Sequence, residues 1–289
     1  MHILITDSGV GGLSVVAYAE RFVRTRGSAE PVRLTFANAA PANDHGYNAM
    51  PTLEAKLETF DRFLTNAGAR SEPDSIYVAC NTLSVLLDDT PFVRKGGIPV
   101  RGIVETGVDL VARELQRSPQ SGAMIFGTQT TIDAGAYPRL LVERGIDPAR
   151  IVDQACPGLA DTISEDREGS RSREEIARWV GAAIGKMSGD GPVVACLACT
   201  HYGYRRKFFE QALAEAGICA TVVDPNERAV DDLFGGALAP GRNHDVEVEF
   251  VTRYAIPEAT IEALTWFLGE ISPRTVAAMR NFVLIPDLF

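Results

Sequence analysis

Apolar runs of roughly four to eight residues recur along the chain, and between them lie longer stretches whose apolar positions repeat at helical spacing. The runs His2–Thr6, Arg33–Asn38, Ser75–Ala79, Val100–Val104, Gly122–Phe126, Ile151–Gln154, Val193–Leu197, Ala220–Val223 and Val246–Thr252 predict strands. Most are apolar throughout rather than alternating, as strands covered on both faces of a parallel sheet would be. Helical periodicity runs over Gly12–Arg24, Met50–Ala67, Thr82–Leu87, Glu105–Gln116 and Arg173–Lys186. This alternation of strand and helix predicts an α/β fold on mainly parallel sheets flanked by helices. Ser164–Arg173 reads as a charged, solvated loop. Lys95–Pro99 and the stretch after His201 read as crossovers.

The pattern also hints at a duplication. In one half an opening strand leads to Asp7-Ser8-Gly9, and a later strand ends at Ala79-Cys80-Asn81-Thr82. In the other, Gly122–Phe126 leads to Gly127-Thr128, and a later strand ends at Ala198-Cys199-Thr200-His201. Polar residues at the carboxyl ends of buried strands are where open α/β sheets bind ligands.

Composition narrows the function. A net charge of −10 and 23% charged residues argue against a nucleic-acid partner, which needs a basic face. No apolar stretch approaches the roughly 20 residues of a membrane span, and Met1-His2 leads into Ile3 without the basic region of a signal peptide. The cysteines Cys80, Cys156, Cys196, Cys199 and Cys219 are odd in number and read as reduced thiols of a cytoplasmic protein.

Two thiols stand out. Cys80 closes a strand and precedes Asn81-Thr82, at the start of a helix whose N–H groups and dipole would favour thiolate. The competing reading is a buried structural cysteine. Cys199 repeats the placement, with His201 two residues on to tune the thiol or relay a proton. Cys196-x-x-Cys199 lacks the second ligand pair of a zinc site and does not open a helix as a redox pair would. Asp7-Ser8-Gly9-Val10-Gly11-Gly12 has the glycines of an anion-binding turn, without dinucleotide or P-loop spacing. Its carboxylate suits an ammonium group or a base. Gly127-Thr128-Gln129-Thr130-Thr131 offers either hydroxyls for a carboxylate or an ordinary helix cap.

Taken in order, Asp7–Val15, Ala79-Cys80-Asn81-Thr82 and Cys199-Thr200-His201-Tyr202 resemble the glutamate racemases of the Asp/Glu racemase superfamily. Gly102–Glu105, Gly127–Tyr137, Ala155-Cys156-Pro157 and Val223-Asp224 resemble further segments of the same family. The resemblance implies two pseudo-symmetric α/β domains with the active site in the cleft between them. One would comprise residues 1–97 and 208–289, the other 98–207. It implies a racemase needing neither pyridoxal phosphate nor metal, with Cys80 taking the α-proton of the D-enantiomer and Cys199 that of the L-enantiomer. Asp7 and His201 would assist the thiols. Ser8, Asn81, Thr82, Thr128, Thr131 and Thr200 would bind the ammonium and carboxylates, with Gly46 in the side-chain loop and Glu165 as an auxiliary group. A small amino acid is the implied partner, a homodimer the expected assembly, and supply of D-glutamate to peptidoglycan the implied role.

Two departures bear on the substrate. The family's Pro-Tyr-Gly loop is replaced around Asn43–Tyr47, and its Pro-Leu after His-Tyr is Gly203-Tyr204. Asp44 would repel a γ-carboxylate. Glutamate is the expected substrate. The alternatives are aspartate, a neutral amino acid or a hydantoin on the same chemistry, or a catalytically silent regulator on this scaffold.

Overall fold

The computed structural model describes residues 1–43, 46–235 and 241–288. Among these residues ten strands follow in chain order: β1 (His2–Asp7), β2 (Val32–Asn38), β3 (Ser75–Val78), β4 (Val100–Gly102), β5 (Gly122–Gly127), β6 (Ile151–Ala155), β7 (Val193–Ala198), β8 (Ala220–Val223), β9 (Val246–Thr252) and β10 (Val283–Leu284). They form a six-stranded sheet in the order β10-β9-β2-β1-β3-β4 and a four-stranded sheet in the order β6-β5-β7-β8. Every strand pairing within the two sheets is parallel. The α/β architecture on parallel sheets is therefore as the hydrophobic pattern predicts.

The chain divides into two compact units. One is Met1–Ile103 with Asn226–Phe289, and the other is Val104–Pro225. The second break differs from the one the resemblance implies near Lys207. The reason is β8, which pairs with β7 from Val193↔Ala220 to Cys196↔Val223 and so holds the chain in the second unit until its sheet is complete. The first break moves from Gly97 to Ile103, because β4 pairs with β3 before the chain leaves.

The hinted duplication has a topological counterpart. Within each unit the first strand lies between the second and the third, with the fourth beyond: β2-β1-β3-β4 and β6-β5-β7-β8. Successive connections leave the first strand in opposite directions, which opens a crevice at the carboxyl ends of the first and third strands. β1, β5 and β7 are buried along almost their whole length because helices cover both faces.

Several boundaries shift for physical reasons. Ile103-Val104, read as the end of a strand, begin the helix Ile103–Arg117, which buries Ile103, Val108, Val111 and Leu115. The helix read as Met50–Ala67 starts at Leu53, where the Thr52 side chain accepts from the Ala55 N–H. The stretch read as the solvated loop Ser164–Arg173 is partly helical: Leu159–Glu165 ends in it and Ser170–Ile184 begins in it. Asp166 at its centre is buried and accepts hydrogen bonds from the N–H of Gly169 and Ser172 and the Ser172 hydroxyl. β10 is two residues long and exposed, too short for a periodicity to reveal.

Gly102 ends β4 against the short helix Asn81–Ser84 that follows Cys80. A Cβ there would meet Ser84 Oγ at 2.7 Å and Leu87 Cδ1 at 2.8 Å. Ser84 Oγ in turn donates to Val78 O and accepts from the Ile103 N–H, at 3.0 and 3.1 Å. Gly102→Ala is expected to destabilise the protein by about 1–3 kcal/mol through overpacking at this joint. A urea midpoint indistinguishable from wild type would contradict the packing described.

Candidate active site

The first half-site is built by the register of β1 against β3, in which Thr6 lies opposite Val78. The chain continues for one or two residues past that pair on both strands, so Asp7-Ser8 and Ala79-Cys80 leave the sheet side by side. The Ala79 N–H donates to Thr6 O at 2.9 Å and fixes the exit. Cys80 Sγ and Ser8 Oγ stand 3.1 Å apart, and the Ser8 hydroxyl lies 3.4 Å from Asp7 Oδ1. Cys80, Ser8 and Asp7 thus form a short polar chain in which Cys80 and Asp7 are buried. Asp7 needs Gly12 beside it, since a Cβ there would sit 2.8 Å from Asp7 Cβ and 3.0 Å from its Oδ2.

Electrostatics at Cys80 run against the expectation of a helix-stabilised thiolate. Burial, and then the Asp7 charge, push the thiol from its ordinary 9.0 up to about 12. The Ser8 hydroxyl, the Ser8 N–H and the Leu83 N–H pull it back without compensating. The helix that Cys80 precedes is only four residues long, so its dipole is small, whereas desolvation acts on the whole thiolate charge. Burial and the Asp7 charge both favour the protonated thiol.

The second half-site repeats the geometry. Gly127 pairs with Ala198 at the ends of β5 and β7, and Thr128 and Cys199 emerge next. Cys199 is buried, and its Sγ lies 3.9 Å from His201 Nδ1. Tyr202 is fully buried and its hydroxyl donates to Cys156 O and Gly127 O, at 3.3 and 3.4 Å. It ties the turn after Cys199 to the end of β5. Thr128 and Thr131 are buried, with their hydroxyls 3.0 Å apart, and Thr128 Oγ1 also accepts from the Thr131 N–H as a helix cap. Asn81 and Thr82, which follow Cys80 in the chain, and Thr200, which follows Cys199, are buried.

Other expected residues stand elsewhere. Glu165 is exposed at the end of its helix and faces Arg171 at 3.9 Å, so the structure gives it no place beside a thiol. Gly46 precedes a short 3-10 turn with φ −98°, a conformation open to any residue. Asp44 lies outside the described residues. Cys196 is fully buried inside β7, where the Tyr137 hydroxyl meets its thiol. Among the described residues no three His, Cys, Asp or Glu side chains gather as a metal site requires.

Sequence reasoning missed Arg205. It is buried behind the His201 turn, and its guanidinium donates to the carbonyls of Asp166 and Arg167. A buried arginine beside a buried aspartate reads in sequence as two more members of a charged stretch. The Tyr204 ring, where the resemblance expects leucine, meets His201 edge-on with centroids 6.4 Å apart.

Comparison with known proteins accords with this geometry. The family model described as Asp/Glu/Hydantoin racemase matches residues 14–233. The glutamate racemase of Chlorobaculum tepidum is 28% identical over 240 residues, covering 81% of this chain and 79% of the relative. That of Chlorobium phaeobacteroides is 30% identical over 211 residues, covering 72% and 71%. Among solved structures, glutamate racemase from Francisella tularensis in complex with D-glutamate shares the fold with a TM-score of 0.72. The match covers 98% of this chain and 96% of that one at 20% identity. A family match that spans residues 14–233, with both Cys80 and Cys199 inside it, establishes that the chain belongs to the Asp/Glu/Hydantoin racemase family.

Proposed function

We propose that this protein interconverts L- and D-glutamate, with Cys80 and Cys199 as the two bases acting on one α-carbon. The observation that carries this reading is the repeated placement of a buried thiol after the third strand of a 2-1-3-4 parallel arrangement. One thiol has Ser8 and Asp7 beside it, the other His201. The curated relatives are glutamate racemases, and the Francisella enzyme was solved with D-glutamate bound.

The chemistry follows from the state of each thiol. The α-proton of an amino acid is very weakly acidic, so the carbanion must be stabilised electrostatically and the base desolvated. In the L-to-D direction the Cys199 thiolate takes the α-proton and becomes a thiol. The Cys80 thiol gives its proton to the opposite face of Cα and becomes a thiolate. A Cys80 held protonated by burial is ready for that role. In the reverse direction Cys80 must first lose its proton, and the Ser8 hydroxyl leads to the Asp7 carboxylate as acceptor. His201 serves Cys199 in the same way. The buried hydroxyls and amide of Thr82, Thr128, Thr131, Thr200 and Asn81 suit the α-carboxylate and ammonium. The same reaction on another amino acid or a hydantoin is the second reading, favoured by Tyr204 standing where the family pattern has leucine.

Cys80→Ala and Cys199→Ala should each lower racemisation in both directions by roughly 10³-fold or more, about 4 kcal/mol of barrier, because each turnover uses both thiols. A panel of L-amino acids followed by chiral chromatography reads the result and ranks the substrates. Activity within about tenfold of wild type in either variant would refute the two-base reading.

Because the chemistry is assigned to thiols alone, exhaustive EDTA treatment should leave activity intact, and the purified protein should show no pyridoxal absorbance. Loss of activity on chelation, restored by added metal, would contradict the assignment.

A further inference from the structure

The segment that follows β2 begins on Asp7, whose carbonyl accepts from the Ala39 N–H at 2.8 Å. It returns at Tyr47, which shares a buried cluster with Ala39 and Cys80. The segment thus starts and ends at the first half-site. Its course is fixed from β9. β2 pairs with β9 up to Ala37↔Val251, so Asn38 and Thr252 close the two strands side by side, and both are buried. The Asn38 amide donates to the Thr252 hydroxyl at 3.3 Å, and Asn38 Oδ1 accepts from the Ala40 N–H at 3.0 Å, which turns the chain out of the sheet. The Thr252 hydroxyl donates in turn to Tyr254 O at 2.9 Å and accepts from the Tyr254 N–H at 3.3 Å. These bonds hold the Tyr254 backbone at the end of β9. Its hydroxyl donates to Pro41 O at 3.2 Å, across 213 positions of sequence.

Tyr254 is half-buried, and the Arg253 guanidinium lies over its ring, 5.3 Å from the centroid. The ring therefore has support of its own, and the bond to Pro41 O is a separate tie. From Ala39 to Asn43 the chain passes from fully buried to exposed. Core packing fades along this stretch, and a hydrogen bond from a fixed donor takes over the task of holding it. Cys80, Ser8 and Asp7 serve the α-carbon, so the segment beside them is left to meet the substrate beyond it. We propose that Tyr254 is a positioning residue for this segment. Its hydroxyl holds Pro41, and with it residues 39–43, against the half-site of Asp7 and Cys80, and so sets which amino-acid side chains are accepted there.

The substrate role rests on the proposed racemase reading, while the tie itself can be read without turnover. The full-length Tyr254→Phe variant keeps the ring and removes only the hydroxyl. In hydrogen–deuterium exchange followed by mass spectrometry, the amides of Ala40, Ala42 and Asn43 should exchange about three- to tenfold faster in the variant, as the loss of one hydrogen bond implies. In turnover, KM for the best amino acid should rise by a similar factor while kcat holds within about twofold. The advantage of that amino acid over the next in kcat/KM should shrink by about threefold or more. Loss of folded protein alone would lower every rate together and leave that advantage in place. Unaltered exchange at residues 40–43 would overturn the proposal. Faster exchange with KM and the advantage unchanged would overturn the substrate role, as would a fall in kcat with the advantage intact. Should the phenylalanine variant fail to fold, a fluorinated tyrosine at position 254, a stronger donor, must slow the same exchange, and an unaltered rate would overturn the proposal. A wild-type protein that racemises no amino acid would remove the racemase reading and the substrate role with it, whereas an active wild type whose exchange is indifferent to Tyr254→Phe would remove the tie alone.

Discussion

Parallel pairing of the first and third strands is the constraint on which both half-sites depend. Thr6 opposite Val78 and Gly127 opposite Ala198 bring the ends of paired strands to one level. The next residues then leave the sheet together, and in each unit one of them is a cysteine. A slip of one residue would turn the buried side chains of either strand to the other face and separate Ser8 from Cys80. Strands covered on both faces make such a slip costly, because every residue from Ile3 to Thr6 and from Gly122 to Gly127 is buried. The precision of the site comes from the sheets, and the loops after them supply the chemistry.

Burial decides the state of the first thiol. A four-residue helix cannot offset the desolvation of a full charge, and the adjacent Asp7 adds to the cost. The resting thiol is an acid for one direction of a racemisation, and becomes a base only when a proton acceptor and nearby donors share the cost of the charge. Ser8 and Asp7 stand beside Cys80 for that purpose. Cys199 has a different neighbour in His201, so the two half-sites share topology without sharing side chains.

Much of this was legible in the sequence because buried parallel strands are written as uninterrupted apolar runs, and the runs ending at Ala79 and Leu197 place both cysteines within a residue or two. The resemblance added order to those motifs. What escaped depends on contacts distant in sequence. Where the chain returns to the first unit is fixed by β8 pairing with β7, which no local pattern encodes. Asp166 and Arg205 are charged residues that become interior only because the turns at 166–172 and 202–205 fold against each other. Ile103-Val104 fit a strand or a helix equally by hydropathy, and packing of the helix Ile103–Arg117 decides between them. The upward push of burial on the Cys80 thiol escaped for a related reason, since helix position is visible in sequence and depth of burial is not.

If Cys80 and Cys199 act as two bases on one α-carbon, as we propose, its proton is exchanged with solvent at every inversion. The direct measurement is incubation of the wild-type protein with L-glutamate in D₂O, following the α-position of both enantiomers by NMR and chiral separation at early times. The first D-glutamate formed should carry deuterium at Cα while the remaining L-glutamate still carries protium, since one base removes the proton and a different, solvent-equilibrated one delivers its replacement. Deuterium appearing in L-glutamate as fast as in D-glutamate, or no loss of the α-proton at all, would contradict it.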